Sequence, residues 1–231
     1  MGQLFQALVD GMTYLLNLCY SFTTLLNLPN YGLAIIFLTI LLKIGLYPLT
    51  LKQMRSMAIM QQLAPKVKEI QAKYKEKDPQ KMQKKIMELY QEHNVNPLSG
   101  CLPLLIQLPI LIALYRALLY FQYPDPRHAS FLWISNLSQV GDQLYILPVL
   151  AGVSTYFQSR MTMTSNDPTQ RVMLITMPIF IAWICTTVPA GLALYWVVFN
   201  ILGIIQQYFI NKQTIGLKEA ASEGGSGRKG R

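Results

Sequence analysis

The chain has 231 residues, 52% of them hydrophobic and only 13% charged, with a formal net charge of +9. A soluble domain carries about twice that share of charge, so the composition excludes one and predicts an all-α polytopic membrane protein. Cys19, Cys101 and Cys185 lie far apart in or beside apolar runs, and the two histidines are His93 and His128. Neither a disulfide, a metal site nor a cofactor is expected from such a set.

Residues 1–30 are apolar but interrupted by Gln3, Gln6, Asp10, Asn17 and Asn27. Leu4, Phe5, Leu8, Val9, Met12 and Leu15 recur at helical spacing, which predicts an amphipathic helix lying in the outer membrane interface. An extra, poor span is the alternative. The stretch has no Lys or Arg for a signal peptide, no small residues before Cys19 for a lipoprotein site, and Gln6 where myristoylation wants Ser or Thr.

Residues 31–51, YGLAIIFLTILLKIGLYPLTL, are predicted as transmembrane helix 1. Lys43 near the middle is anomalous, since a cation at that depth costs roughly 2.5 kcal/mol or more. Snorkelling toward Lys52 is one explanation, and a wet cavity or bundle interior the other.

Residues 52–97 then hold ten Lys/Arg against five Asp/Glu. Leu63, Val67, Ile70 and Tyr74 form one apolar stripe, and Met82, Ile86, Leu89 and Tyr90 another. Asp78-Pro79 between them reads as an N-cap followed by proline at the first helical position. The segment is predicted as a cytoplasmic basic helical hairpin, with a solvated loop as the alternative. Its partner-facing residues are Lys73, Lys75, Lys77, Lys81, Lys84 and Lys85.

Four more runs follow as predicted transmembrane helices: 98–121, 144–159, 172–188 and 190–211. They are joined by an extracytoplasmic loop over 122–143 and a short cytoplasmic loop over 160–171, and 212–231 reads as a disordered basic tail. With five spans, 17 of the 20 Lys and Arg fall on the side of the hairpin and tail. The positive-inside rule then puts the N-terminus outside and the C-terminus in the cytoplasm. Runs 144–159 and 172–188 reach only about 24–26 Å as helices, against about 30 Å of hydrocarbon, which implies a thinned bilayer.

Polar residues inside the runs are few. Thr39 and Lys43 share a face that Tyr47 continues, Gln107 lies in the second span, Gln158 in the third, and Tyr195, Trp196 and Asn200 in the fifth. Asp and Glu are absent from all five runs, so Lys43 has no ion-pair partner there and must be solvated by water, hydroxyls or amides. Helix–helix hydrogen bonding explains the amides singly, and a hydrophilic groove explains the set.

Three motifs carry a resemblance. Tyr47-Pro48-Leu49-Thr50, then Asn96-Pro97-Leu98-Ser99-Gly100-Cys101-Leu102-Pro103-Leu104-Leu105-Ile106-Gln107, and Pro189-Ala190-Gly191-Leu192-Ala193-Leu194-Tyr195-Trp196 together resemble the YidC/Oxa/Alb membrane-protein insertases, over about residues 30–212. The resemblance implies a five-helix core with a groove open to cytoplasm and lipid and closed on the outside. It also implies a groove cation, commonly arginine and here Lys43. It further implies a minimal core, without the extra N-terminal span and large periplasmic domain of many Gram-negative members. The expected function is insertion of nascent transmembrane segments into the bilayer, with no covalent chemistry. Expected partners are nascent membrane proteins, the ribosome and membrane lipids, with the Sec translocon and signal-recognition machinery as further candidates and no DNA. The expected location is a prokaryotic plasma membrane. A channel or small-solute transporter is the alternative, disfavoured by the lack of intramembrane carboxylates and of inverted repeats with broken half-helices.

Overall fold

The computed structural model describes residues 3–75, 77–96, 102–121, 123, 125–141, 144–163 and 168–226, with side chains except at 4, 102–104, 106, 168–169, 211 and 213–226. Among these residues the regular elements are helices. They are α1 (Gln3–Leu25), α2 (Tyr31–Gly45), α3 (Tyr47–Tyr74), α4 (Pro79–Glu92), α5 (Leu102–Leu119), α6 (Ile146–Thr162), α7 (Pro168–Cys185) and α8 (Ala190–Ser226), with a 3-10 turn at Pro126–Ala129. Of the motif spanning 96–107, positions 97–101 lie outside the described residues.

The apolar run 31–51 is not one straight helix. α2 stops at Gly45, and α3 leaves at 66° to it. Pro48 is the cause: it sits in the first turn of α3 and has no N–H for the carbonyl of Ile44, against which its ring also clashes. The bend separates Tyr47 from the face of Thr39 and Lys43. Tyr47 is 46% exposed, whereas Thr39 and Lys43 are buried.

α1 runs back along α2 and α5. Tyr20 stacks on Tyr31 with ring centroids 4.0 Å apart, while Met12 packs with Ala113 and Ala117 of α5, against which Leu42 also lies. Its buried stripe is Met12, Leu16, Cys19 and Thr23. α6 packs against both α7 and α8, and Gly152 lets it approach α7 until a Cβ there would meet Ala182 at 3.1 Å.

The hairpin has two unlike halves. The first part of α3 buries Gln53, Met54, Ala58, Met60, Leu63 and Val67, whereas α4 has no buried residue and packs on α3. Gln61 fastens the docked half, its Nε2 donating to Met161 O (3.2 Å) and Met163 O (3.0 Å) at the end of α6. Asp78 caps α4 by accepting from Lys81 N at 2.9 Å.

The other end of the bundle is sealed by the segment before α6. Asn30 starts α2 by accepting from Gly32 N and Leu33 N, and its amide donates to Ser130 O at 2.7 Å. Gly141 N donates to Val188 O, Ala190 N to Gln139 O and Gly191 N to Leu137 O, all at 2.8–2.9 Å. Tyr20 Oη pairs with His128 Nδ1 at 2.7 Å. Nearby, the Arg127 guanidinium hydrogen-bonded to Asp125 pulls that carboxyl down to about 2.

Among the described residues one helical segment, Ala190–Ile210, is by itself long and apolar enough to cross a membrane, and the bent pair α2–α3 passes the same test jointly. Gln107–Leu119 and Gln170–Cys185 are shorter apolar helices. α8 does not stop before the basic tail, which was expected to be disordered, but continues to Ser226. Leu217-Lys218-Glu219-Ala220-Ala221 are strong helix formers and extend the preceding turn at little cost.

Candidate functional site: a polar seam between α2, α5, α6 and α8

Two stripes one residue apart on α8 organise the site. Tyr195 and Phe199 form one, and Trp196, Asn200 and Gly203 the other; each follows helical i, i+4 or i+3 spacing. The first stripe meets α2 and α5. Gln107 Nε2 donates to Tyr195 Oη at 2.7 Å, and the Tyr195 and Phe199 rings lie 5.7 Å apart. Lys43 of α2 places its Nζ 3.6 Å from the centroid of Phe199.

The second stripe meets α6. The Trp196 indole N–H donates to Thr155 Oγ1 at 3.1 Å. Asn200 fits one orientation of its amide best. Its nitrogen then donates to Gln158 Oε1 at 2.6 Å, and its oxygen accepts from Ser154 Oγ at 3.1 Å and Thr155 Oγ1 at 2.8 Å. Gln158 reaches this point across Gly203, where a Cβ would stand 2.7 Å from its Nε2.

All seven residues expected at the site turn inward, but they do not form one cluster. Gln158, Trp196 and Asn200 make an amide–hydroxyl network on the α6 side, while on the other side Gln107 pairs with Tyr195 and Lys43 lies on Phe199. Thr39 is fully buried one turn from Lys43, yet its hydroxyl donates to Ile35 O at 2.6 Å on its own helix. The hydroxyls and amides therefore bind one another, and among the described residues none hydrogen-bonds Lys43. An aromatic face takes the cation instead, a contact worth about 2 kcal/mol when desolvated. Lys43 is 6% exposed and Asn200 5%, whereas Gln158, Trp196 and Phe199 are half-buried and form the accessible edge.

Sequence reasoning missed Phe199, Ser154 and Thr155, and also the buried Gln53 and Gln207. Phe199 was discoverable: it stands four residues after Tyr195 and so shares its face. Serine and threonine in a short apolar helix gave no comparable signal, because such hydroxyls commonly bond a carbonyl of their own helix.

The six hairpin lysines, Lys73, Lys75, Lys77, Lys81, Lys84 and Lys85, are all exposed. Lys73 and Lys81 each stand 5.6 Å from the Tyr74 ring. Lys85 is bound to Glu88 at 2.7 Å; that hydrogen bond raises the ammonium's pKa and lowers the carboxyl's. Among the described residues the other five make no ion pair. Among the described residues no group of His, Cys, Asp and Glu could hold a metal ion.

Residues 21–218 match the model of the family described as 60Kd inner membrane protein. The chain is 44% identical over 209 residues to the membrane protein insertase YidC of Geotalea daltonii, an alignment covering 90% of this chain and 38% of that protein. It is 46% identical over 200 residues to the membrane protein insertase YidC of Wolinella succinogenes, covering 86% and 37%. The chain thus spans less than two-fifths of the length of these curated relatives. Its fold superposes, with a TM-score of 0.72 and 30% identity, on the structure titled "Active YidC insertase crystal structure with the first transmembrane domain resolved", covering 90% of this chain and 47% of that one. With one family model accounting for most of its length, the chain belongs to the 60Kd inner membrane protein family.

Proposed function

We propose that this chain is a membrane-protein insertase, which brings nascent transmembrane segments from the cytoplasm into the bilayer along the polar seam. One observation carries the reading: a buried lysine that no carboxylate among the described residues pairs with lies on Phe199, the neighbour in sequence of the Asn200 amide–hydroxyl network, where four apolar helices meet. Polar groups in such a position are costly in lipid and are kept where something polar must pass. The polar flank of a substrate would exchange its water for Lys43, Asn200, Gln158 and Trp196. Its apolar part would then slide into lipid, driven by burial at roughly 25 cal/mol per Å². The protein supplies no bond-breaking step and only lowers the barrier.

In this reading α2, α5, α6, α7 and α8 span the membrane, with the N-terminus outside and the hairpin and C-terminus cytoplasmic. The distribution of Lys and Arg supports that orientation. α2 has 15 residues and α6 has 17, lengths of about 23 and 26 Å, so the bilayer thins around them. Exposed lysines on α4 and the end of α3 suit a partner rich in phosphate or carboxylate, with the ribosome first and the Sec translocon and targeting machinery after it.

Site-specific photo-crosslinking tests the reading. A probe at Trp196 or Gln158 should capture a single-span substrate during its translation, and a probe at the lipid-facing Ile179 should not. Equal capture from all three positions would sink it. Orientation is checked separately in a variant lacking Cys19, Cys101 and Cys185. A cysteine at position 77 that reacts with an impermeant external reagent would reverse the topology.

A further inference from the structure

Resting on the insertase reading, we propose that the ring of Phe199 is the resident counter-group of Lys43 and sets how strongly the seam prefers a substrate segment carrying a carboxylate. Among the described residues Lys43 is an ammonium without an anion. No Asp or Glu occurs in the five apolar runs, and among the described residues no side chain hydrogen-bonds the ammonium. The Thr39 hydroxyl is bound to Ile35 O, the Gln107 amide to Tyr195 Oη, and the Asn200 amide to α6. What faces Nζ is the π-surface of Phe199 at 3.6 Å, closer than either hairpin cation–π contact. That ring is itself braced by Tyr195, which Gln107 pins from α5, so two helices fix the surface that the cation rests on.

An aromatic face attracts a cation through its quadrupole, less strongly than a carboxylate does through a full charge. The ring therefore holds the ammonium in place while the seam is empty and yields it when an acidic side chain arrives. The exchange needs no proton transfer. Without the ring, the four-carbon stem of Lys43 would carry its charge toward water near the bend at Leu46, away from the substrate's path. Phe199 is thus a positioning residue, acting on the substrate through Lys43.

Ring fluorination drains the π-face with little change in shape, and it separates this role from packing. Phenylalanine, monofluoro-, difluoro- and trifluorophenylalanine would be placed at position 199 of the full chain in membranes. Insertion of a single-span substrate with two aspartates in its flank is measured against the same substrate with two asparagines. The Asp/Asn ratio should fall stepwise, by about threefold or more across the series. In the Lys43→Leu background the ratio should start low and stay flat, because ring and cation act as one unit. Phe199→Leu should match the trifluoro variant, and Phe199→Trp should keep the preference. A flat ratio with Lys43 present overturns the proposal, as does a falling ratio with Lys43→Leu, which would mean that the ring touches the substrate itself. If the unsubstituted chain inserts neither substrate, the insertase reading fails, and this inference goes with it.

Discussion

The carboxamide of Gln158 lies directly over the bare Cα of Gly203, so α6 and α8 exchange an amide pair at a point where no side chain intervenes. The atom that a Cβ would strike, at 2.7 Å, is the flexible end of Gln158. Gly203→Ala should therefore leave the fold standing and push the Gln158 amide off Asn200. The gain of up to about 1 kcal/mol in helix propensity roughly offsets the lost hydrogen bond. Melting in detergent should stay within a few degrees of the parent, while insertion of a substrate with a polar flank drops. A drop in melting with insertion retained would show that the contact is structural only.

Gly32 gives the opposite outcome. A Cβ there would run into Cβ and Cγ of Phe131, which cannot swing clear as the end of a long side chain can. Phe131 is held in place by paired backbone hydrogen bonds with Ile134, and Asn30 binds the adjacent Ser130. Gly32→Ala should cost about 1–3 kcal/mol by overpacking and loosen the sealed end of the bundle. The measurement is thermal unfolding beside Gly203→Ala, and an unshifted midpoint would mean that the segment moves as a body.

Gln61 is the fastening of α3 to the end of α6. Gln61→Leu removes both hydrogen bonds and leaves two carbonyls to find water, a loss of about 1 kcal/mol. That shift corresponds to roughly fivefold more of the undocked form. A cysteine in place of Met60, which is 5% exposed, should react with a maleimide about fivefold faster in the Gln61→Leu protein. Identical rates would place the holding force in Met54, Leu63 and Val67 instead.

The distal hairpin is a charged surface with little to unfold. α4 buries no residue, so Lys81→Glu, Lys84→Glu and Lys85→Glu should barely change stability. Reversing them should weaken association with an anionic partner, and the parent's association should itself fall steeply with added salt. Ribosome co-sedimentation across a salt series checks both points. Binding indifferent to salt and to these substitutions would move the contact to the apolar stripes.

The all-helical fold was legible because the apolar runs and the two hairpin stripes repeat at helical spacing, and polar residues within apolar runs were the natural candidates to face other helices. Two things were not legible. Residues 31–51 read as one straight span, yet the missing N–H of Pro48 turns the chain by 66° and takes Tyr47 off the face of Thr39 and Lys43. The partner of Lys43 was sought among hydroxyls and amides, because polar groups are what normally solvate a charge. The structure sets Lys43 against the Phe199 ring instead, a neighbour supplied by α8 that no spacing within α2 encodes.

Lys43 tests the seam most directly. Lys43→Arg keeps the charge and can lay a guanidinium on Phe199, so insertion should be nearly that of the parent. Lys43→Leu removes the cation and leaves a shorter, apolar side chain. A carboxylate passing at about 4 Å would lose an attraction on the order of 4 kcal/mol at an effective dielectric near 20, and less where water enters. The defect should be partial and concentrated on substrates with acidic flanks, with neutral flanks much less affected. If Lys43 is only an anchor for α2, Lys43→Leu should insert both kinds as well as the parent does. It should also melt higher, because a costly buried charge has gone. Parallel insertion assays with the two flanks, run beside the melting curves, separate these outcomes.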